Sequence, residues 1–333
     1  MRKLRLSAIA LGLLVAVLVV AGCGSSGTGS SVAKPSTANG MTVAQILAKS
    51  RRAMDKVSSV SFTGDASFKI SSNGTSASAL LLGQQPIAVH LSGKAAGVAG
   101  ATGTTAAAKA AAGKAMRADV AVTVKAGSQT VGLGFKARGG RSWVNVQGVW
   151  YAVPPSRSGS TGASSGGVKG ASGLGIDPAT WAASSTVTTE QLDGVSVYHV
   201  VVKADTAKIT GDLLKGLSSS AFSKAAGSAG NAGAELNLLQ HNPALLNGLK
   251  KALASASVEE WIDASTFRVV KGAFDAQLHF GSGQSTTGLG VHATLTLGGF
   301  DQPVNVVPPL HAKPLKQLTK GLSGLSAGSG VGL

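Results

Sequence analysis

The sequence predicts an α+β protein: an antiparallel sheet of many strands with helices segregated against one of its faces. Two patterns carry that prediction. Between Met116 and Val153 apolar residues alternate with small or polar ones at a period of two, broken by Gly-rich turns. At 43–57 and across 206–256 the apolar residues recur at helical spacing instead. A third observation concerns the compartment. The chain opens with Arg2, Lys3 and Arg5, runs through an apolar segment from Ala8 to Val20, and reaches Val20-Ala21-Gly22-Cys23.

That opening has the order of a secretory leader: a basic region, an apolar region, then small residues at a cleavage site. An aliphatic residue, two small residues and a cysteine form a lipobox. Cys23 is the one cysteine in the chain. Residues 1–22 are therefore expected to be a lipoprotein signal peptide and Cys23 the acylated first residue of the mature protein. The apolar run is short for a bilayer span, which needs about 20 residues. It is followed by Gly and Ser rather than by a basic stop-transfer cluster. Acyl chains, at about 0.8 kcal/mol per buried methylene, would hold the protein on the extracytoplasmic face of the cell membrane. With its thiol consumed, the chain has no disulfide or thiol chemistry left.

The formal charge is +16, or +13 once the three leader bases are removed. Such a domain is attracted to an anionic bilayer. Nucleic acid is not an expected partner, because the bases are scattered and not interleaved with aromatics.

Residues 23–39 are expected to be a disordered tether of Gly, Ser and Thr. Thr42 is placed to cap a first helix carrying Val43, Ile46, Leu47, Met54 and Val57. Val60, Phe62, Phe68 and Ile70 mark a strand, Asn73-Gly74 a hairpin turn, and Leu80–Leu82 and Ile87–Leu91 further strand. Residues 93–113 are almost wholly Ala, Gly, Thr and Lys, and 95–113 is expected to be a low-complexity loop or weak helix. The meander of 116–153 follows. A second loop is expected at 156–175, a helix start at Asp177-Pro178, and a hairpin over 186–204 turning at Asp193-Gly194. A helical insertion spans 206–256. Strands resume at 258–262, 267–280 and 291–297. The domain is expected over 40–313, with a Gly-rich tail at 314–333.

Several of these segments together resemble a known family. They are the "VSSVSFTGDASF" strand after the first helix, the "WVNVQGVWYAV" strand pair, "DPATW" before "LDGVSVYHVVV", and the "VEEWIDASTFRVVKG" hairpin. With the lipobox and tether, the chain from roughly Met41 to Pro309 resembles the LppX/LprG-type lipoproteins of actinobacteria, which are similar in fold to the LolA/LolB carriers. The resemblance implies a strongly bent antiparallel half-barrel with helices over its concave face. It also implies an apolar cavity for acyl chains and transport of a lipid or acylated glycolipid within the cell envelope. A transporter or acceptor protein in the envelope is the implied exchange partner.

The alternation marks out residues that would share a sheet face. In the meander they are Val122, Val131, Leu133, Phe135, Val144 and Val146. In the last strands they are Leu278, Phe280, Leu295 and Leu297. Read alone, they are core against the helices; with the resemblance, they are candidates to line the cavity.

No catalytic constellation is expected, nor any cofactor. Gly162-Ala163-Ser164-Ser165-Gly166 matches the pattern of a nucleophile elbow, but no apolar strand leads into it. His90, His199, His241, His279, His292 and His311 have no metal-ligand spacing. His279 and His292 are candidates to face one another across the last hairpin, but two ligands do not make a metal site. Gly113-Lys114 lacks the glycine spacing and hydroxyl of a phosphate loop. Glu259 and Glu260 are adjacent on a strand and point to opposite faces, so they do not form a carboxylate pair. Two readings therefore compete with a lipid carrier: a sensor or protein-interaction lipoprotein of the same fold with no cargo, and a hydrolase using Ser164.

Overall fold

The structure is a computed structural model. It describes residues 36–72, 86–97, 115–154, 181–217, 252–282 and 285–318. The leader, Cys23, most of the tether, Asn73-Gly74, Leu80–Leu82, Ser164, Asp177-Pro178, His241, most of the 95–113 loop, all of the 156–175 loop, residues 218–251 and the tail beyond 318 lie outside these.

The described chain is dominated by strands. They are β1 (Thr37–Ala38), β2 (Met41–Thr42), β3 (Ser59–Ser72), β4 (Ile87–Ala96), β5 (Arg117–Ala126), β6 (Gln129–Arg138) and β7 (Arg141–Val146). Then come β8 (Val149–Val153), β9 (Ala182–Leu192), β10 (Val195–Ala204), β11 (Leu253–Asp263), β12 (Val269–Ser282), β13 (Ser285–Gly298) and β14 (Lys313–Pro314). Helix α1 is Val43–Met54 and α2 is Thr206–Leu217. Twelve strands form one sheet in the order β14-β8-β7-β6-β5-β4-β3-β13-β12-β11-β10-β9, and β1 and β2 pair separately. The large sheet is mixed, since β14 runs parallel to β8. It is not closed into a barrel.

The chain divides into two compact units. One comprises Met1–Met54, Asp65–Ala88 and Ala163–Leu295; the other comprises Asp55–Gly64, Val89–Gly162 and Thr296–Leu333.

In the first unit, α1 begins in a reciprocal cap. The Gln45 amide donates to Thr42 Oγ1 at 3.3 Å, and the Thr42 amide donates to Gln45 Oε1 at 2.9 Å. Val43, Ile46 and Ser50 form the buried stripe of the helix. Asp205 caps α2 by accepting from the amides of Ala207 and Lys208. Ile209 of α2 sits in a core with Ala256, Ala276 and Val291, against which Phe68, Phe274, Leu278 and Leu289 pack. Ile209 of α2 thus packs against β11, β12 and β13.

In the second unit, β5 to β8 form the expected meander. Gly139-Gly140 and Gln147-Gly148 occupy two-residue turns with both residues at positive φ. That left-handed geometry matches the twist of the strands and favours glycine. Three expectations shift. Strand β4 continues through Gly93, Lys94 and Ala95 to Ala96, where a loop was expected, because Gly93 lets Phe62 and the Asp119 carbonyl approach closely. Leu253 opens β11 opposite Leu278 instead of closing a helix, so the helical insertion ends before 253. Phe267 is a turn residue at φ 58 and not the start of a strand; its ring stacks on Tyr198, with centroids 5.9 Å apart. At the C-terminal end Lys313 and Pro314 pair with Tyr151 and Ala152.

Candidate functional site: an apolar sheet face

The register of the meander decides which side chains share a face, since directly opposed residues point the same way. One rung is Val122, Leu133, Val146 and Val149. The next is Val120, Phe135, Val144 and Tyr151. Val124 opposes Val131 on the same face. All six meander residues singled out in the sequence therefore stand together. A further rung of Ala118, Ala137, Ser142 and Val153 extends the face. Besides the hydroxyls of Tyr151 and Ser142 the face carries Gln129, opposite Ala126, and at the β14 edge Lys313, opposite Tyr151; on β5 to β8 it has no charged residue. Val122, Val131, Leu133, Phe135, Val144 and Val146 are all half-buried.

The opposite face of the same strands is different. Lys136 lies between Asp119, at 3.4 Å, and the ring of Trp150, at 5.3 Å from its centroid. Trp143 is buried there. A C-terminal segment runs along this face. Lys136 Nζ donates to the Val307 carbonyl at 3.2 Å, and Arg138 Nη1 donates to the Val306 carbonyl at 2.9 Å. Val304 and Val306 of this segment are buried. Lys136 and Arg138 thus hold the chain to one face with charge, while the other face of β5 to β8 is uncharged and mostly hydrocarbon.

The remaining candidates belong to β12 and β13. Leu278 packs against the core around Ile209. The side chain of Phe280 lies outside the described residues. Leu295 and Leu297 are half-buried on β13, and by alternation they share a face with buried Val291 and Ala293.

The histidines come out differently from the expectation in one respect. His292 and His279 do not face each other. His292 Nδ1 lies 2.7 Å from Asp275 Oδ1, while His279 lies beside Gly288. Among the described residues no group of three His, Cys, Asp or Glu is arranged to hold a metal.

Sequence reasoning missed a polar cluster on β9, β10 and β11. Nε2 of His199 is 2.8 Å from Glu259 Oε2, and its Nδ1 is 3.4 Å from Glu190 Oε2. Trp261 Nε1 donates to Glu190 Oε1 at 2.6 Å. Lys271 Nζ lies 4.6 Å from the centroid of Trp261. The signal was period-two spacing, which puts Glu259 and Trp261 on one face; the partner residues follow only from register.

Among the described residues no helix is long and apolar enough to cross a membrane, which says nothing about spanning by strands. No protein-family model matches the sequence, and no curated protein matches it. The chain is similar over most of its length to two solved mycobacterial lipoproteins. Lipoprotein LppX of Mycobacterium tuberculosis is 13% identical with a TM-score of 0.35, covering 79% of this chain and 96% of that one. LprF of Mycobacterium bovis is 13% identical with a TM-score of 0.32, covering 80% and 95%. A β-barrel-like protein of unknown function from Brucella abortus is 8% identical with a TM-score of 0.19, covering 73% and 98%.

Proposed function

We propose that the protein is an envelope lipoprotein, anchored by acylated Cys23, that holds the acyl chains of a lipid or glycolipid and carries it within the envelope. The observation that carries this reading is the uncharged, half-buried face built by Val122, Leu133, Phe135, Val144 and Val146. The lipobox and the positive charge support it. So does the resemblance, with its bent half-barrel and helices over a concave face; the packing of Ile209 on the sheet strands agrees with a helix-covered face.

The mechanism is partition, with no bond made or broken. Each methylene moved from water onto an apolar surface is worth about 0.8 kcal/mol. A chain moving from bilayer to protein is out of water at both ends, so the exchange is nearly balanced. The protein lowers the barrier between them by keeping the chain covered in transit.

The test is mass spectrometry of lipid extracted from the unacylated chain, Ser31 to Leu333, purified without detergent. Stoichiometric lipid of one class supports a carrier and names its cargo. A compact protein that holds no lipid, and takes none from vesicles, points instead to a sensor or interaction role.

A further inference from the structure

We propose that the loop from Val307 to Ala312 is a membrane-contacting tip, which seats Leu310 and Val307 in the interfacial region of an anionic bilayer. Among the described residues three large apolar side chains are exposed, and two of them are here: Leu310 at 91% and Val307 at 62%. They stand three positions apart, on either side of Pro308-Pro309.

The loop is fixed at both ends. Before it, Val306 is fully buried, and the carbonyls of Val306 and Val307 are held by Arg138 and Lys136. After it, Lys313 and Pro314 are paired to Tyr151 and Ala152 of β8. Between these pins the two prolines fix their own φ angles and remove two amide donors. The result is a short stiff arch that holds Leu310 out in water, where a folded chain gains nothing from it.

The flanking chemistry selects the partner. From Gln302 to Leu318 there is no acidic residue, while His311 and Lys313 are exposed beside the tip. An apolar tip with bases at headgroup level fits an anionic lipid surface. Two side chains are too little for a stable protein interface, which needs about 800 Å² per partner. They are enough for a reversible touch by a protein already tethered at the surface. The arch also joins β8 at Tyr151, which shares a rung with Val144 and Phe135. A chain leaving the bilayer at the tip would meet the apolar face at its edge. The inference deepens the carrier reading and rests on it for its purpose.

The experiment uses the mature acylated protein in phosphatidylglycerol-rich vesicles, with His311→Cys carrying an environment-sensitive fluorophore. The expected result is quenching of that label by brominated acyl chains, with none for a control label at the exposed turn residue Asp193. Leu310→Ser with Val307→Ser should shift the tip out of the bilayer by roughly tenfold or more. Leu310→Met should not. An unchanged thermal unfolding midpoint shows that the variants fold. No quenching at residue 311, quenching insensitive to the double serine variant, or protection that needs a second copy or a protein partner instead of lipid each overturns the proposal. Extractable lipid measured on the same samples separates the two claims. Cargo without tip contact sinks this inference alone, and tip contact without cargo sinks the carrier reading alone.

Discussion

The imidazole of His199 lies flat on the indole of Trp261, with ring centroids 4.3 Å apart and planes 10° from parallel. The two residues are direct cross-strand neighbours on β10 and β11. Glu190 on β9 reaches both, so the cluster ties three strands together across a polar face. Stacked pairs contribute about 0.5–1.5 kcal/mol beyond area burial. In urea unfolding, Trp261→Ala should cost about 1–2 kcal/mol. The double variant with His199→Ala should cost less than the sum of the singles by about 0.5–1.5 kcal/mol. Additive effects would show that the stack is incidental.

Asp263 closes the β11–β12 turn. Its Oδ1 accepts from the Ser265 amide at 2.8 Å, the Ser265 hydroxyl at 2.6 Å and the Thr266 amide at 2.7 Å. Partial burial pushes its carboxyl pKa up, but these hydrogen bonds outweigh burial and hold it below the usual value. A depressed folded-state pKa means stability that is present above the unfolded pKa and lost as pH falls through the folded one. Asp263→Ala should therefore cost about 1 kcal/mol at neutral pH. That difference should shrink below about pH 4, the ordinary aspartate range. A cost that stays constant from pH 7 to pH 2 would argue against the ionised carboxylate as its source.

Where the code is local, the sequence could be read. Gly139-Gly140 and Asp193-Gly194 are turns because two adjacent positions need positive φ. The six apolar residues of the meander share a face because short turns fix its register. Thr42 was legible as a cap, and Gln45 three residues on completes the box. Where tertiary context decides, it could not. Phe267 belongs to a β-favouring type, yet it takes φ 58 and stacks on Tyr198, far away in sequence. Leu253 continued a leucine-rich helical pattern, but pairing with Leu278 made it a strand. His199 and Glu259 are 60 residues apart, and neither is marked locally as the other's partner.

Gly93 sits where β4 passes closest to its neighbours. A Cβ there would lie 2.5 Å from the Asp119 carbonyl oxygen and 2.9 Å from Phe62 Cζ. The phenyl ring has room to turn, but the carbonyl belongs to a paired strand and does not. Gly93→Ala should destabilise by about 1–3 kcal/mol, the usual cost of overpacking. Adding Phe62→Leu should recover only the part due to the ring. Full recovery in the double variant would mean that the backbone contact carries no strain.

Val122 and Thr123 are adjacent, and the pleat sends them to opposite faces. Val122 opposes Leu133 in the apolar rungs, whereas Thr123 opposes Gly132 on the face where Lys136 and Trp150 lie. The carrier reading separates them sharply. Val122→Lys puts an ammonium where an acyl chain must lie. Burying it without a partner costs several kcal/mol, so lipid occupancy should fall by tenfold or more. Thr123→Lys adds the same charge one residue away and should leave the extracted lipid unchanged. Lipid per mole of protein, measured after detergent-free purification of both variants, decides the matter. Equal loss in both would place the effect in the net charge or stability of β5. No loss in either would take the cargo off this face and leave the meander as packed core.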